Sequence, residues 1–180
     1  MALHHDESGV VGRHNVDSSP VGDESDVFDL RRRFCATQKK DFDRALREIN
    51  AGRKCSCWGW YIFVTRPYVV NGEERGSDTN QDFALRDLHP NTLGGDDAAR
   101  AYLRFGADGV DLRANYILIM TAVAEQLEQG VDPITLVGFI DDPKLRSSLR
   151  LFERVTRDGL DVEVNTVCCR ALSALKEPRE

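Results

Sequence analysis

The strongest constraint on this chain is the spacing of its apolar side chains. Leu112, Tyr116, Met120, Val123 and Leu127 recur at intervals of three or four, the period that lines them up on one face of an α-helix. A helix of about 20 residues, closed by Gly130, follows from that stripe, and at 1.5 Å per residue it would run ~30 Å. Such a stripe has to be covered from several sides, so this segment is the expected central core helix.

The same period governs most of the chain between its ends. Phe28, Leu30, Phe34 and Cys35 mark a segment over about Phe28 to Gln38, with Asp26 or Asp29 near its start. Phe42, Ala45, Leu46 and Ile49 mark the next, with Asp41 as its N-cap and Gly52 as its stop. These two are expected to pack as a helical pair. Asp96 and Asp97 open DDAARAYLRF, where Ala98, Tyr102 and Phe105 share a face and Gly106 ends the run. Two Asp-Pro pairs start further helices, because proline at the first helical position lacks only an N–H that would be unpaired there. Asp132-Pro133 precedes ITLVGF, and Asp142-Pro143 precedes KLRSSLRLFERV, whose apolar face is Leu145, Ser148, Leu149 and Phe152 and whose stop is Gly159. Ser148 on that face reads as a small residue that lets helices approach. Val164, Cys168, Ala171 and Leu175 give the last helix.

Two stretches depart from the helical period. CSCWGWYIFVTRPYVV, from Cys55 to Val70, is β-branched and aromatic, and it reads as a buried strand, a turn or an irregular core segment. Asn71 to Asp82 is polar and contains glycine, the composition of a surface loop. Residues 1–26 are rich in Ser, Asp, Gly and His with no period, and read as a disordered tail. His4, His5 and His14 within it read as solvated residues, since a flexible chain must be ordered before it can chelate. Residues 176–180 read as a frayed end. The expected organisation is therefore a mainly α, single compact multi-helix domain over residues 27–175 behind a disordered N-terminal tail.

Composition narrows the class. A chain of 180 residues buries roughly two-thirds of its unfolded surface and can rest on one hydrophobic core without staples. No run approaches the ~18 apolar residues of a membrane span, and MALHHDESGV lacks the basic-then-apolar layout of an export signal. The five cysteines are an odd number, which together with that N-terminus points to reduced thiols in a cytoplasmic protein and no membrane association. The net charge is -6, which, without a groove-reading motif, speaks against nucleic acid as a partner.

Several constellations bear on chemistry. Cys55, Cys57, Cys168 and Cys169 supply four thiols, but the spacing differs from the C-x-x-C of structural zinc and adjacent helical residues diverge by about 100°. They read as small apolar residues, and no metal is expected. Cys57 has the cations Arg53 and Lys54 nearby, which would favour a thiolate. G-x-x-x-x-G-K-[ST], G-x-G-x-x-G and G-x-S-x-G are all absent, so no cofactor is expected. From Phe28 to Lys54 nine basic residues, Arg31, Arg32 and Arg33 among them, face four acidic ones, which reads either as a solvated helical surface or as a patch that attracts anions. Trp58 and Trp60 flank Gly59. In an extended segment both indoles would face one side, as core aromatics or as a platform on which a base or nicotinamide-like ring stacks beside Arg53 and Lys54. Asp141, Asp142, Lys144, Arg146 and Ser147 crowd one helix start, where backbone N–H groups favour anions and the acidic cap competes for the same place.

At these two places the chain resembles a known family. GRKCSCWGWYIF, from Gly52 to Phe63, and DDPKLRSSLRLF, from Asp141 to Phe152, look like the two signature blocks of domain-of-unknown-function family 1810, and ARAYLRF and the segment from Phe28 to Gly52 fit its layout. The chain departs from the family pattern at Cys57, where Ser-His-Trp is usual, and at Val64-Thr65, where Phe63 is usually followed by Pro-Gln. The calpastatin label sometimes attached to this family has no counterpart in the residues, since calpain inhibition goes with disordered repeats. The resemblance implies a mainly helical domain and no established activity. Lys54, Ser56, Trp58 and Trp60 in the first block and Asp142, Lys144 and Ser147 in the second are the expected ligand-binding residues, with a small anionic or nucleotide-like molecule as the ligand. Two alternatives are a protein-interaction domain using the basic N-terminal helices, and a hydrolase or transferase with Asp142 as base or Cys57 as nucleophile.

Overall fold

The computed structural model describes residues 26–176. The tail expected over residues 1–26, apart from Asp26, and the histidines within it lie outside the described residues, as do residues 177–180 of the end expected to fray. The described chain is mainly α-helical. In order it runs through a π-helical turn at Arg31–Cys35, α1 (Ala36–Asn50), α2 (Gly59–Ile62), β1 (Val69–Val70), β2 (Glu73–Glu74), α3 (Asp78–Phe83) and α4 (Asp96–Tyr102). There follow β3 (Gly106–Ala107), β4 (Val110–Asp111), α5 (Leu112–Glu128), α6 (Pro133–Val137), α7 (Asp142–Thr156) and α8 (Val162–Ala174).

The expected central helix is α5. Leu112, Tyr116, Ile119, Met120, Val123 and Leu127 are buried along it, and α1 and α8 pack against it while α7 lies on α8. The Asp111 carboxylate caps it by accepting the Ala114 N–H at 2.9 Å. An aromatic chain ties the layers together. The Tyr116 ring lies 4.3 Å from that of Phe152 on α7, Phe152 lies 5.6 Å from Tyr102 on α4, and Tyr102 meets Phe34 edge-on at 5.3 Å. The buried Gln38 amide crosses the same region, donating to Tyr61 O and Tyr102 Oη at 2.8 Å each and accepting from Asn115 Nδ2 at 2.9 Å.

Four expectations change. The first two segments are one helix rather than a packed pair, since nothing between Gln38 and Asp41 breaks it. The π-helical turn instead inserts the phase shift that brings Phe34 and Cys35 into the core together with Phe42, Ala45 and Ile49. Asp41 is thus no cap, and its carboxylate binds Tyr61 Oη and Arg44. The start is capped by Asp26, which accepts the N–H groups of Leu30 and Arg31 at 2.7 and 2.8 Å.

Secondly, the Trp58–Trp60 stretch is a turn of helix rather than an extended strand. Thirdly, residues 71–82 are more than a loop. Asn71 and Gly72 both take positive φ, 54° and 80°, which turns the chain back from β1 into β2 and is the Asn-Gly hairpin signature, and Ser77 then caps α3. Fourthly, Asp132 with Pro133 forms the expected capped start of α6, but α7 begins at Asp142 with Pro143 second and no side-chain cap. The Asp141 carboxylate that precedes it is engaged elsewhere.

Phe152 joins three helices through ring contacts and is fully buried, so Phe152→Ala is expected to cost ~3–5 kcal/mol and Phe152→Leu distinctly less. Urea unfolding of the two variants against the parent measures both.

Candidate functional site

The first signature block hangs from two carboxylates. Glu48, near the end of α1, accepts the N–H groups of Cys55 and Ser56 at 2.7 and 3.0 Å, the indole N–H of Trp58 at 2.8 Å and the Ser56 hydroxyl. Burial opposes its ionisation, but these donors outweigh it and hold its carboxyl down at about 2. The loop over 53–58 is thereby wrapped around one acid. Lys54 N–H also donates to Leu136 O at 2.7 Å, fastening the loop to α6.

The second carboxylate is Asp141, buried where the two blocks meet. Its Oδ2 pairs with Lys54 at 2.7 Å and its Oδ1 with Lys144 at 3.0 Å. Gly59 makes room for it: a Cβ at that position would stand 2.6 Å from Asp141 Oδ1. Asp141 is the residue that sequence reasoning passed over as a mere cap, and a glycine between two tryptophans was the available signal.

Around this joint the expected site residues part company. Trp58 is fully buried, edge-on to Phe63 at 5.3 Å, with the Lys54 ammonium 4.9 Å from the centre of its ring. Ser56 is taken up by Glu48, and Lys54 by Asp141 and Ser56 O. One helical turn rotates Trp60 away from Trp58. Its indole N–H donates to Asn80 Oδ1 at 2.7 Å on α3, and Lys144 Nζ sits 5.2 Å from its ring centre. Trp60, Lys144 and Ser147 all line one groove of about 670 Å³, together with Arg66, Tyr68 and Asn91. Asp142 borders an adjoining cleft, where its Oδ2 accepts Arg146 Nε at 2.9 Å. None of the sixteen residues lining the groove is acidic. Lys144 brings a charge that Asp141 neutralises only in part, because that carboxylate also serves Lys54. Arg66 is exposed and makes no ion pair with another described residue.

Sequence reasoning missed Arg66, Asn80 and Asn91, which lie between the two blocks in the chain and come to the groove through β1, α3 and the following loop. Cys57 is exposed and stands outside the groove lining. The basic N-terminal residues are largely occupied: Arg31 pairs with Asp108 at 2.7 Å and Arg32 with Asp29, while Arg33 donates to the carbonyls of Phe28, Asp82 and Ala84. Among the described residues no three His, Cys, Asp or Glu side chains gather as metal ligands, and no helix is long and apolar enough to cross a membrane.

Two outcomes follow from the two carboxylates. Gly59→Ala is expected to lose ~1–3 kcal/mol by overpacking against the pinned Asp141. In an Asp141→Ala background the same change costs less, and a double-mutant cycle by urea unfolding reads the difference. Because the Glu48 carboxyl is held at about 2 against an ordinary 4.5, the stability it contributes is complete above the ordinary value and is lost as pH falls from there toward 2. The gap in stability between the parent and Glu48→Gln should therefore be constant from pH 7 to about 5.5 and shrink below about 4.5 in denaturant melts taken across that range.

The comparisons agree with the helical architecture. No curated protein matches the chain significantly. Among solved structures, the conserved hypothetical protein Rv1873 from Mycobacterium tuberculosis is similar, with 25% identity over 81% of this chain and 86% of that chain and a TM-score of 0.62. Residues 27–167 match the family described as protein of unknown function (DUF1810), a span that contains both signature blocks and every residue of the groove. By that match the chain belongs to the DUF1810 family.

Proposed function

We propose that this domain binds a small anionic, nucleotide-like ligand in the groove between its two signature blocks. The observation that carries the reading is the makeup of the groove wall. Two cations, Arg66 and Lys144, and two flat aromatic faces, Trp60 and Tyr68, stand in a groove with no acidic lining residue. Its volume of about 670 Å³ lies within the ~300–1,000 Å³ of ordinary small-molecule sites. Aromatic faces favour a planar ring, and fixed cations favour an anion attached to it. Ser147, Asn80 and Asn91 add hydroxyl and amide groups able to orient polar substituents.

In this reading the expected residues divide by role. Trp60 offers the stacking face, Lys144 and Arg66 the charge, and Ser147 a hydrogen bond. Lys54, Ser56 and Trp58 hold the wall from behind through Glu48 and Asp141. Binding is favoured over hydrolysis or group transfer because Cys57 lies outside the groove lining and Asp142 is tied to Arg146.

Thermal unfolding against a panel of nucleotides, nicotinamide dinucleotides and sugar phosphates tests the proposal. A ligand at ~100 times its dissociation constant adds about 2.7 kcal/mol to the folded state. A stabilising compound is expected to lose most of its effect in Trp60→Ala and in Lys144→Met. Equal stabilisation of parent and Trp60→Ala, with both variants folded, would remove the groove reading.

A further inference from the structure

The loop over residues 53–58 turns its side chains alternately in and out. Lys54, Ser56 and Trp58 face the fold, held by Asp141 in the first case and by Glu48 in the other two. Arg53, Cys55 and Cys57 stand exposed on the other side. Side chains two residues apart on an alternating segment point the same way, so the two thiols share one solvent-facing surface and are not the buried apolar residues expected of them. The backbone also draws them together. It bends at Ser56 and Cys57, the Trp58 N–H returns to Ser56 O at 3.2 Å, and the N–H groups of Cys55 and Ser56 converge on one oxygen of Glu48 at 2.7 and 3.0 Å. Two residues of extended chain reach ~7 Å. The bend shortens that span toward the ~4.4–6.8 Å between the Cα atoms of a disulfide.

The fold keeps the other thiols out of such chemistry. Cys35 and Cys168 are fully buried, and burial pushes both thiols up, Cys35 to about 11, which suppresses the thiolate that reacts. Cys169 follows Cys168 directly on α8, so the two side chains diverge by about 100°. Its Sγ is half-buried and donates to Asn165 Oδ1 at 3.7 Å.

We propose that Cys55 and Cys57 form a redox-active dithiol that hydrogen peroxide closes into an intramolecular disulfide. One thiolate attacks the peroxide, the O–O bond breaks, and a sulfenic acid forms while the departing hydroxide takes up the thiol proton as water. The second thiol then attacks the sulfenic sulfur: the S–S bond forms, the S–O bond breaks, and a second water leaves with that thiol's proton. The two sulfurs give up two electrons, and the peroxide is reduced by the same two. The Glu48 clasp holds the bend in place before oxidation. The groove lining contains neither cysteine, so this site stands or falls independently of the ligand reading.

Mass spectrometry of the full chain tests the proposal. After one equivalent of hydrogen peroxide the parent is expected to lose about 2 Da, the two hydrogens removed. Peptide mapping is expected to find Cys55 and Cys57 closed to iodoacetamide and both open again after dithiothreitol. Cys55→Ser and Cys57→Ser are each expected to show no such loss and instead to retain a sulfenic acid that dimedone traps. Phenylarsine oxide, which bridges two thiols through one arsenic, is expected to bind the reduced parent about tenfold or more tightly than it binds either variant. Circular dichroism melts of the reduced proteins check that the variants are folded, and peptide mapping of the parent is decisive without them.

An oxidised parent that dimedone labels at Cys55 or Cys57, a disulfide between two chains, or a bridge to Cys169 overturns the inference. So does a parent whose two loop thiols both remain open to iodoacetamide after peroxide, or arsenical binding that survives undiminished in both variants.

Discussion

The carboxylate of Asp141 is the interaction on which the rest of this region depends. It is buried, and a buried charge is costly unless paired and hydrogen-bonded. Lys54 from one signature block and Lys144 from the other supply that pairing at 2.7 and 3.0 Å. The joint therefore forms only when α7, the loop before α2 and the glycine between the tryptophans all occupy their places. One anion shared by two cations leaves an excess of positive charge at the junction, and that excess faces the groove through Lys144. Structural necessity and the electrostatics of the groove have a common origin.

Glu48 completes the arrangement from the opposite side. By accepting from two backbone N–H groups, a hydroxyl and an indole, it fixes the path of residues 55–58 and draws Trp58 inward. The single helical turn of α2 then sends Trp60 the other way, toward Asn80 and the groove. Two tryptophans separated by one residue thus serve different purposes: one seals the core and the other forms a wall. The Lys54 and Lys144 ammonium groups lie near Trp58 and Trp60 respectively, so each indole is also held by a cation that Asp141 positions.

The charge layout extends beyond this joint. Basic groups stand along one face of α7 and at Arg66, where the groove and the adjoining cleft run together. At the N-terminal end, arginines also serve cohesion, with Arg33 bound to three carbonyls and Arg31 to Asp108 of the β3–β4 turn.

The helical period was legible because burial of one face leaves a regular trace: α5, α7 and α8 follow their apolar stripes, and Asp132 and Gly130 mark ends as their chemistry dictates. The two signature blocks also announced themselves, and Trp60, Lys144 and Ser147 do share a wall. Other features carried no local sign. The π-helical turn that fuses the first two segments is a phase shift, visible only once both apolar faces have to meet the same core. The Asn71-Gly72 hairpin was readable from its turn residues and was masked by the polar composition around it. Whether an aromatic points into the core or a groove, and whether a carboxylate caps a helix or joins two lysines, is set by partners dozens of residues away. Local sequence therefore determined which elements form and where they end. Tertiary packing decided which side chains they share, because a buried charge has to find its counter-charges across the fold rather than along the chain.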